Sequence, residues 1–355
     1  MTCRLPIPLT AHILVVRSLP GLGDLLCAVP ALRSLRAACP FAKITWLGLP
    51  GTEWFSQRFD HLIDQWLPFP GFPGIPEGWQ SPQKTIEFLE QIQRQRYDLV
   101  LQLHGDGSSI NPFLVLLGGR QQAGFYLPGQ FCPDPRYFLP YPQRGSEVER
   151  LLRLTEFLGL PKQQPELEFP LTADEYEAGL QLLSSHDLSP GQYICLHPGA
   201  NSADRRWSID GFTQVAQSLA NQGYHVVLTG TDAERELTTQ ICAAVGAGSL
   251  NLAGCTALGE LAVLLQQAAL LICNDTGISH LGAALKVPSV VVFSNSEVER
   301  WAPGDRVSAQ ASDQGRHRIV DSRQTGAATA WAVLAQARSL LNAQPQPLPQ
   351  VCYAR

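Results

Sequence analysis

Short apolar runs alternate with amphipathic stretches along most of this chain. That alternation predicts an α/β protein with mostly parallel sheets. Apolar runs at 12–17, 43–48, 97–104, 193–196, 224–228, 270–273 and 289–293 read as strands. Helical spacing recurs at 23–38, 83–96, 145–158, 172–185, 208–222, 232–245, 256–267 and 277–285. After a polar loop, a last helical pattern lies near 326–342. Residues 68–82 include Phe69-Pro-Gly-Phe-Pro-Gly-Ile-Pro76, too rich in Pro and Gly for regular structure. The segment 159–170 reads as a linker between two halves, and the Pro-rich end, 344–355, reads as a disordered tail.

At 355 residues the chain is too long for one ordinary core. The expected domains are 1–165 and 166–325, with 326–343 as a final helix. Hydrophobic content of 45% with 16% charge suits a soluble globular protein. A net charge of −5 with no basic stripe argues against nucleic acid as a partner. It also means that any anionic ligand is held by local positive groups. Nine cysteines are scattered without a Cys-x-x-Cys pair, so buried reduced thiols are expected. No apolar run approaches the ~18 residues of a membrane-spanning helix, and no secretory signal is evident. The cytoplasm is the expected location, with peripheral contact at the inner face of the membrane left open.

The most informative segment is Leu270-Leu-Ile-Cys-Asn-Asp-Thr-Gly-Ile-Ser-His280, a strand, an abrupt polar turn and a helix. Asp275 or Thr276 can cap that helix, and Gly277 adds no side chain where a ligand would approach. His280 lies four residues after Thr276, near the same helix face. A helix N-terminus suits a phosphate or diphosphate. Taken alone, the segment fits a plain capped helix equally well. Near the N-terminus, strand Ile13–Arg17 runs into Ser18-Leu-Pro-Gly-Leu-Gly-Asp24. Asp24 can cap the following helix or take a proton from a hydroxyl. Gly21 and Gly23 would let a bulky acceptor reach the backbone. His197-Pro198-Gly199 follows a strand, at the end where open α/β sheets bind ligands. Arg205-Arg206-Trp207 offers cations, and Glu234 is a first-turn helix acid after Gly230-Thr231-Asp232.

These motifs, in this order and with Asn251-Leu-Ala-Gly254, resemble glycosyltransferase family 9, the ADP-heptose:lipopolysaccharide heptosyltransferases. The resemblance spans roughly residues 12–304. It implies a GT-B fold, two Rossmann-like domains facing each other across a cleft, with the last helix crossing back to the first domain. It implies an inverting transfer from a nucleotide-diphosphate sugar to a hydroxyl of lipopolysaccharide or another surface glycan, free or lipid-linked. Asp24 matches the family's general base. Arg205 stands where the family's Lys-x-Trp motif has lysine, so the cation is kept with a planar head. Glu234 would hold ribose hydroxyls; Asp275, Thr276, Gly277 and His280 would hold the diphosphate side and the sugar. Asp275 would repel phosphate, so it is read as a cap or a sugar-hydroxyl acceptor. No Asp-x-Asp motif occurs, so neither metal nor cofactor is expected. Rival readings are a non-catalytic GT-B protein binding nucleotide or glycan, and a nucleotide-sugar epimerase. A nicotinamide oxidoreductase fits less well, because the third glycine of its fingerprint is missing after Gly21-x-Gly23.

Overall fold

A computed structural model describes residues 5–78, 81–303, 315–323 and 328–343. The chain divides into two compact units, Met1–Pro165 and Glu166–Arg355. In the first, β1 (His12–Val16), β2 (Lys43–Gly48), β3 (Gln65–Pro68), β4 (Leu99–Gln102), β5 (Gln121–Tyr126) and β6 (Phe138–Pro140) form one sheet in the order β3-β2-β1-β4-β5-β6. Every pairing is parallel. In the second, β7 (Tyr193–His197), β8 (His225–Leu228), β9 (Ser249–Asn251), β10 (Leu270–Asn274), β11 (Ser289–Phe293) and β12 (His317–Asp321) run in the order β12-β11-β10-β7-β8-β9. These pairings are parallel too.

Both orders are those of a Rossmann sheet. The order reverses between β1 and β4, and again between β7 and β10. Loops leaving the carboxyl ends of those strands flank the crevice in which open α/β sheets bind ligands. The strands beside each crevice are apolar on both faces because helices cover both sides. Thus β4, β7, β10 and β11 are buried throughout. In the first unit Leu14, Val16, Val100 and Phe113 lie in one core cluster. In the second, Ile194, Leu196, Phe212, Ile272 and Val292 do.

Several elements differ from expectation. The single helix expected at 23–38 is two, Leu22–Leu26 and Val29–Ala38, because Pro30 restarts the helix in its first turn. The Pro/Gly-rich stretch after residue 68 is irregular, yet it buries Phe69 and Ile75. Strands β3, β5, β6, β9 and β12 were not expected. The last helix, Ala330–Asn342, packs on the second unit's own elements, helix Ile209–Ala220 and strands β10 and β11. Val333 and Ala337, one turn apart, are wholly buried in that unit's core. The expected tail at 344–355 lies outside the described residues. Among the described residues no helix is long and apolar enough to cross a membrane.

Candidate functional site

At the crevice of the first sheet, β1 runs directly into Arg17 and Ser18. Arg17 is fully buried. Its Nε donates to the Asp24 carbonyl at 2.8 Å, one Nη donates to the Leu103 carbonyl, and Nη2 donates to Glu147 Oε1 at 3.2 Å. Nη2 also stands 4.0 Å from Asp24 Oδ1. Asp24 lies in the first turn of helix Leu22–Leu26, with its side chain 27% exposed. Gly21 is the residue before that helix, and a Cβ there would fall 2.3 Å from Asp24 Oδ2. Its bare backbone therefore makes room for the carboxylate. Gly23 is buried within the helix.

His104 follows β4 on the other side of the same crevice. The Ser18 N–H donates to His104 Nδ1 at 3.2 Å, so this nitrogen carries a lone pair and the ring proton sits on Nε2. Burial, helped by the Arg17 charge, pushes the His104 pKa down to about 4, consistent with a neutral ring. Nε2 lies 3.8 Å from Glu77 Oε2, beyond hydrogen-bond reach.

In the second unit Asn274 organises the crevice. It is the last residue of β10 and fully buried. Its Nδ2 donates to the carbonyls of Pro198 at 2.8 Å and Gly199 at 3.2 Å. Its Oδ1 accepts from the Trp207 N–H at 2.9 Å. One side chain thus ties the loop after β7 to the turn after β10. His197 Nδ1 is 3.1 Å from the Thr229 hydroxyl, which itself donates to the Leu196 carbonyl. The hydroxyl then accepts from Nδ1–H, and Nε2 keeps the lone pair. Burial pushes the His197 pKa down to about 4, against a smaller opposing pull from Glu234.

Glu234 sits in the turn after β8. Its Oε2 accepts from the Thr231 N–H at 2.8 Å and hydroxyl at 3.0 Å, so that oxygen serves as a helix cap. Its Oε1 lies over Gly199, where a Cβ would come within 1.9 Å. Arg206 is spent on the Ala200 carbonyl, at 3.1 and 2.9 Å. The Arg205 guanidinium is half-buried and has no hydrogen bond or ion pair among the described residues. Its neighbour Asp204 is held below the usual carboxylate range, first by the Ser202 hydroxyl and then by the Asn295 amide.

Helix Gly277–Ala284 begins beyond Asp275 and Thr276. The Thr276 side chain, one of two expected caps, makes no capping hydrogen bond; its carbonyl accepts from Ser279 instead. The N–H groups of Gly277 and Ile278 have no partner among the described residues. Asp275 and His280 are both buried, and the His280 ring meets Trp301 edge-on at 6.1 Å. The second crevice thus gathers a neutral histidine acceptor, a carboxylate oxygen, an available guanidinium and two free N–H donors. That set can hold sugar hydroxyls and a diphosphate. Among the described residues no three His, Cys, Asp or Glu side chains gather so as to hold a metal ion.

Sequence reasoning missed Arg17, His104, Glu147 and Asn274. Asn274 and Arg17 carried a signal, a polar residue closing an apolar run. Glu147 carried none, because its partner lies 130 residues away.

The model of glycosyltransferase family 9 (heptosyltransferase) matches residues 85–318. The chain is 21% identical over 341 residues to the lipopolysaccharide core heptosyltransferase OpsX of Haemophilus influenzae, covering 93% of this chain and 92% of that one. It is 28% identical over 290 residues to lipopolysaccharide heptosyltransferase 3 of Escherichia coli K12, covering 79% and 82%. The ADP-heptose lipopolysaccharide heptosyltransferase II of Escherichia coli superposes with a TM-score of 0.69 at 21% identity, over 93% of this chain and 98% of that one. This likeness supports the GT-B class for the two Rossmann-like units. With the motifs at 193–293 lying inside the matched region, the chain belongs to glycosyltransferase family 9.

Proposed function

We propose that this chain moves a heptose-type sugar from a nucleotide-diphosphate sugar to a hydroxyl of a lipopolysaccharide-core or other surface-glycan acceptor, with inversion. The observation that carries the reading is the second crevice. There Asn274 draws the His197–Gly199 loop and Trp207 to the Asp275–Gly277 turn, beside an available Arg205. Arg205 and the N–H groups of Gly277 and Ile278 hold the diphosphate. Glu234 Oε1 accepts from ribose hydroxyls, and Asp275, Thr276 and His280 face the sugar. ADP is the expected nucleotide, since one related enzyme of known structure is named for ADP-heptose and another was solved with ADP-2-deoxy-2-fluoro heptose.

In the reaction the acceptor oxygen attacks the anomeric carbon as the bond to the diphosphate oxygen breaks. Asp24 takes the hydroxyl proton, and Gly21 and Gly23 border the acceptor. The charge that grows on the leaving diphosphate is met by Arg205 and the helix N-terminus, held in place beforehand. No metal is assigned a step. The reaction is placed in the cytoplasm, at the inner face of the membrane where the acceptor is lipid-linked. One assay tests this: release of nucleoside diphosphate in excess EDTA. Wild-type protein is expected to turn over, and Asp24→Asn to lose roughly 10²–10⁴ of the rate, the usual share of a general base. Full activity in Asp24→Asn removes Asp24 from the chemistry. Loss in EDTA that Mg²⁺ restores assigns the diphosphate charge to a metal.

A further inference from the structure

We propose that Arg17 and Glu147 are a positioning pair for Asp24. Arg17 fixes the backbone that carries this carboxylate and holds the carboxylate ionised; Glu147 sets how much of the Arg17 charge reaches it. The proposal rests on reading Asp24 as the base.

Arg17 is 0% exposed, and a guanidinium is costly to bury. A tie between strand ends could be made by a neutral side chain. The charge here is retained among partners of unequal strength. Nε donates to the main chain of Asp24 itself, which fixes where the residue stands. Nη2 is shared between Glu147 at 3.2 Å and the Asp24 carboxylate at 4.0 Å. Glu147 is 3% exposed and opens helix Glu147–Phe157, whose N-terminus favours its charge. The Ser146–Glu149 capping box holds that helix start in place, so Glu147 is a fixed competitor for the Arg17 charge.

Among the described residues, the groups around the Arg17–Asp24 contact come from three elements. Arg17 comes from the end of β1 and Glu147 from the helix at 147–157. His104 comes from the end of β4 and is neutral, with Asp106 acting on its ring. A cation 4.0 Å from a carboxylate favours its ionised form. Partial exposure of Asp24 and salt screening keep the effect at the low end of the usual range.

The test is carboxyl ¹³C NMR of full-length protein labelled at aspartate side chains, with Asp24 assigned by its absence in Asp24→Asn. Glu147→Gln keeps an acceptor for Arg17 but removes the competing charge. It is expected to lower the Asp24 titration midpoint by about half to one pH unit. The double variant Arg17→Gln/Glu147→Gln removes the pair together and is expected to raise the midpoint above wild type by about one unit. Midpoints that coincide overturn the proposal. If the double variant does not fold, Glu147→Gln alone decides, since a lowered midpoint is required of it. The acid limb of kcat/KM is measured alongside and should follow the NMR midpoint. A limb that stays while the midpoint moves leaves the charge coupling intact and removes Asp24 as base, so the two failures are distinct.

Discussion

Two glycines set the reach of the two acids assigned to chemistry. Gly21 has φ −76°, which any residue adopts, so its bareness is not for the backbone's sake. It is there because Asp24 Oδ2 occupies the space of a Cβ. Gly21→Ala should therefore change stability by no more than about 1 kcal/mol, the scale of a helix-cap change. It should cut turnover by up to about 10²-fold, because the carboxylate is pushed off its position. Thermal melts and turnover of the same protein check the split; equal loss of both would mean the glycine is structural. His197 gives a pH prediction. Its folded pKa is lowered from 6.5 to about 4, by burial first. The unfolded chain then binds a proton that the folded one refuses. This contribution is fully present above pH 6.5 and is lost as pH falls through 4. Melting temperature should fall across that window in wild type and fall less in His197→Gln, whose side chain does not titrate there.

At the scale of elements, Asn274 is the residue on which the second crevice turns. Asn274→Ala removes two donated hydrogen bonds and leaves the buried Trp207 N–H without its acceptor. A cost of about 1–3 kcal/mol in urea unfolding is expected. ADP affinity, measured by calorimetry, should drop with it, because the loops bearing Gly199 and Arg205 lose their common tie. Unchanged affinity would separate the tie from the ligand. The strands beside each crevice were legible because a strand buried on both faces reads as an unbroken apolar run, as in Leu270–Cys273. The strands toward the sheet edges were not. Gln65–Pro68, Gln121–Tyr126 and Ser249–Asn251 carry Gln, Pro, Gly and Asn, which break up the apolar run by which a buried strand is read. Asp24, Glu234 and the helix start at Gly277 could be picked out because a local turn announces each. The pairing of Arg17 with Glu147 could not, since only the folded sheet brings residues 130 apart together.

At the scale of the molecule, the two units repeat one strand order but carry different chemistry. The first crevice holds carboxylates around a buried guanidinium; the second holds a guanidinium and N–H donors that have no partner among the described residues. Every residue assigned to the nucleotide, from His197 to His280, belongs to the unit beginning at Glu166. That unit's core includes Val333 and Ala337, both wholly buried, so its covering is complete only with the last helix. A fragment of residues 166–343 is therefore expected to fold alone and to bind ADP as the full chain does. A fragment ending at 325 uncovers the face of the core on which that helix sits. Burial of a Val side chain contributes about 1.5–3 kcal/mol, and the helix buries more than that one residue. The shorter fragment should then melt well below the longer one or fail to fold. Circular dichroism melts and calorimetry with ADP decide both points. If the shorter fragment is equally stable, the last helix is not part of this core. If the longer fragment folds and does not bind ADP while the full chain does, then Arg205 and Glu234 do not suffice as the donor site.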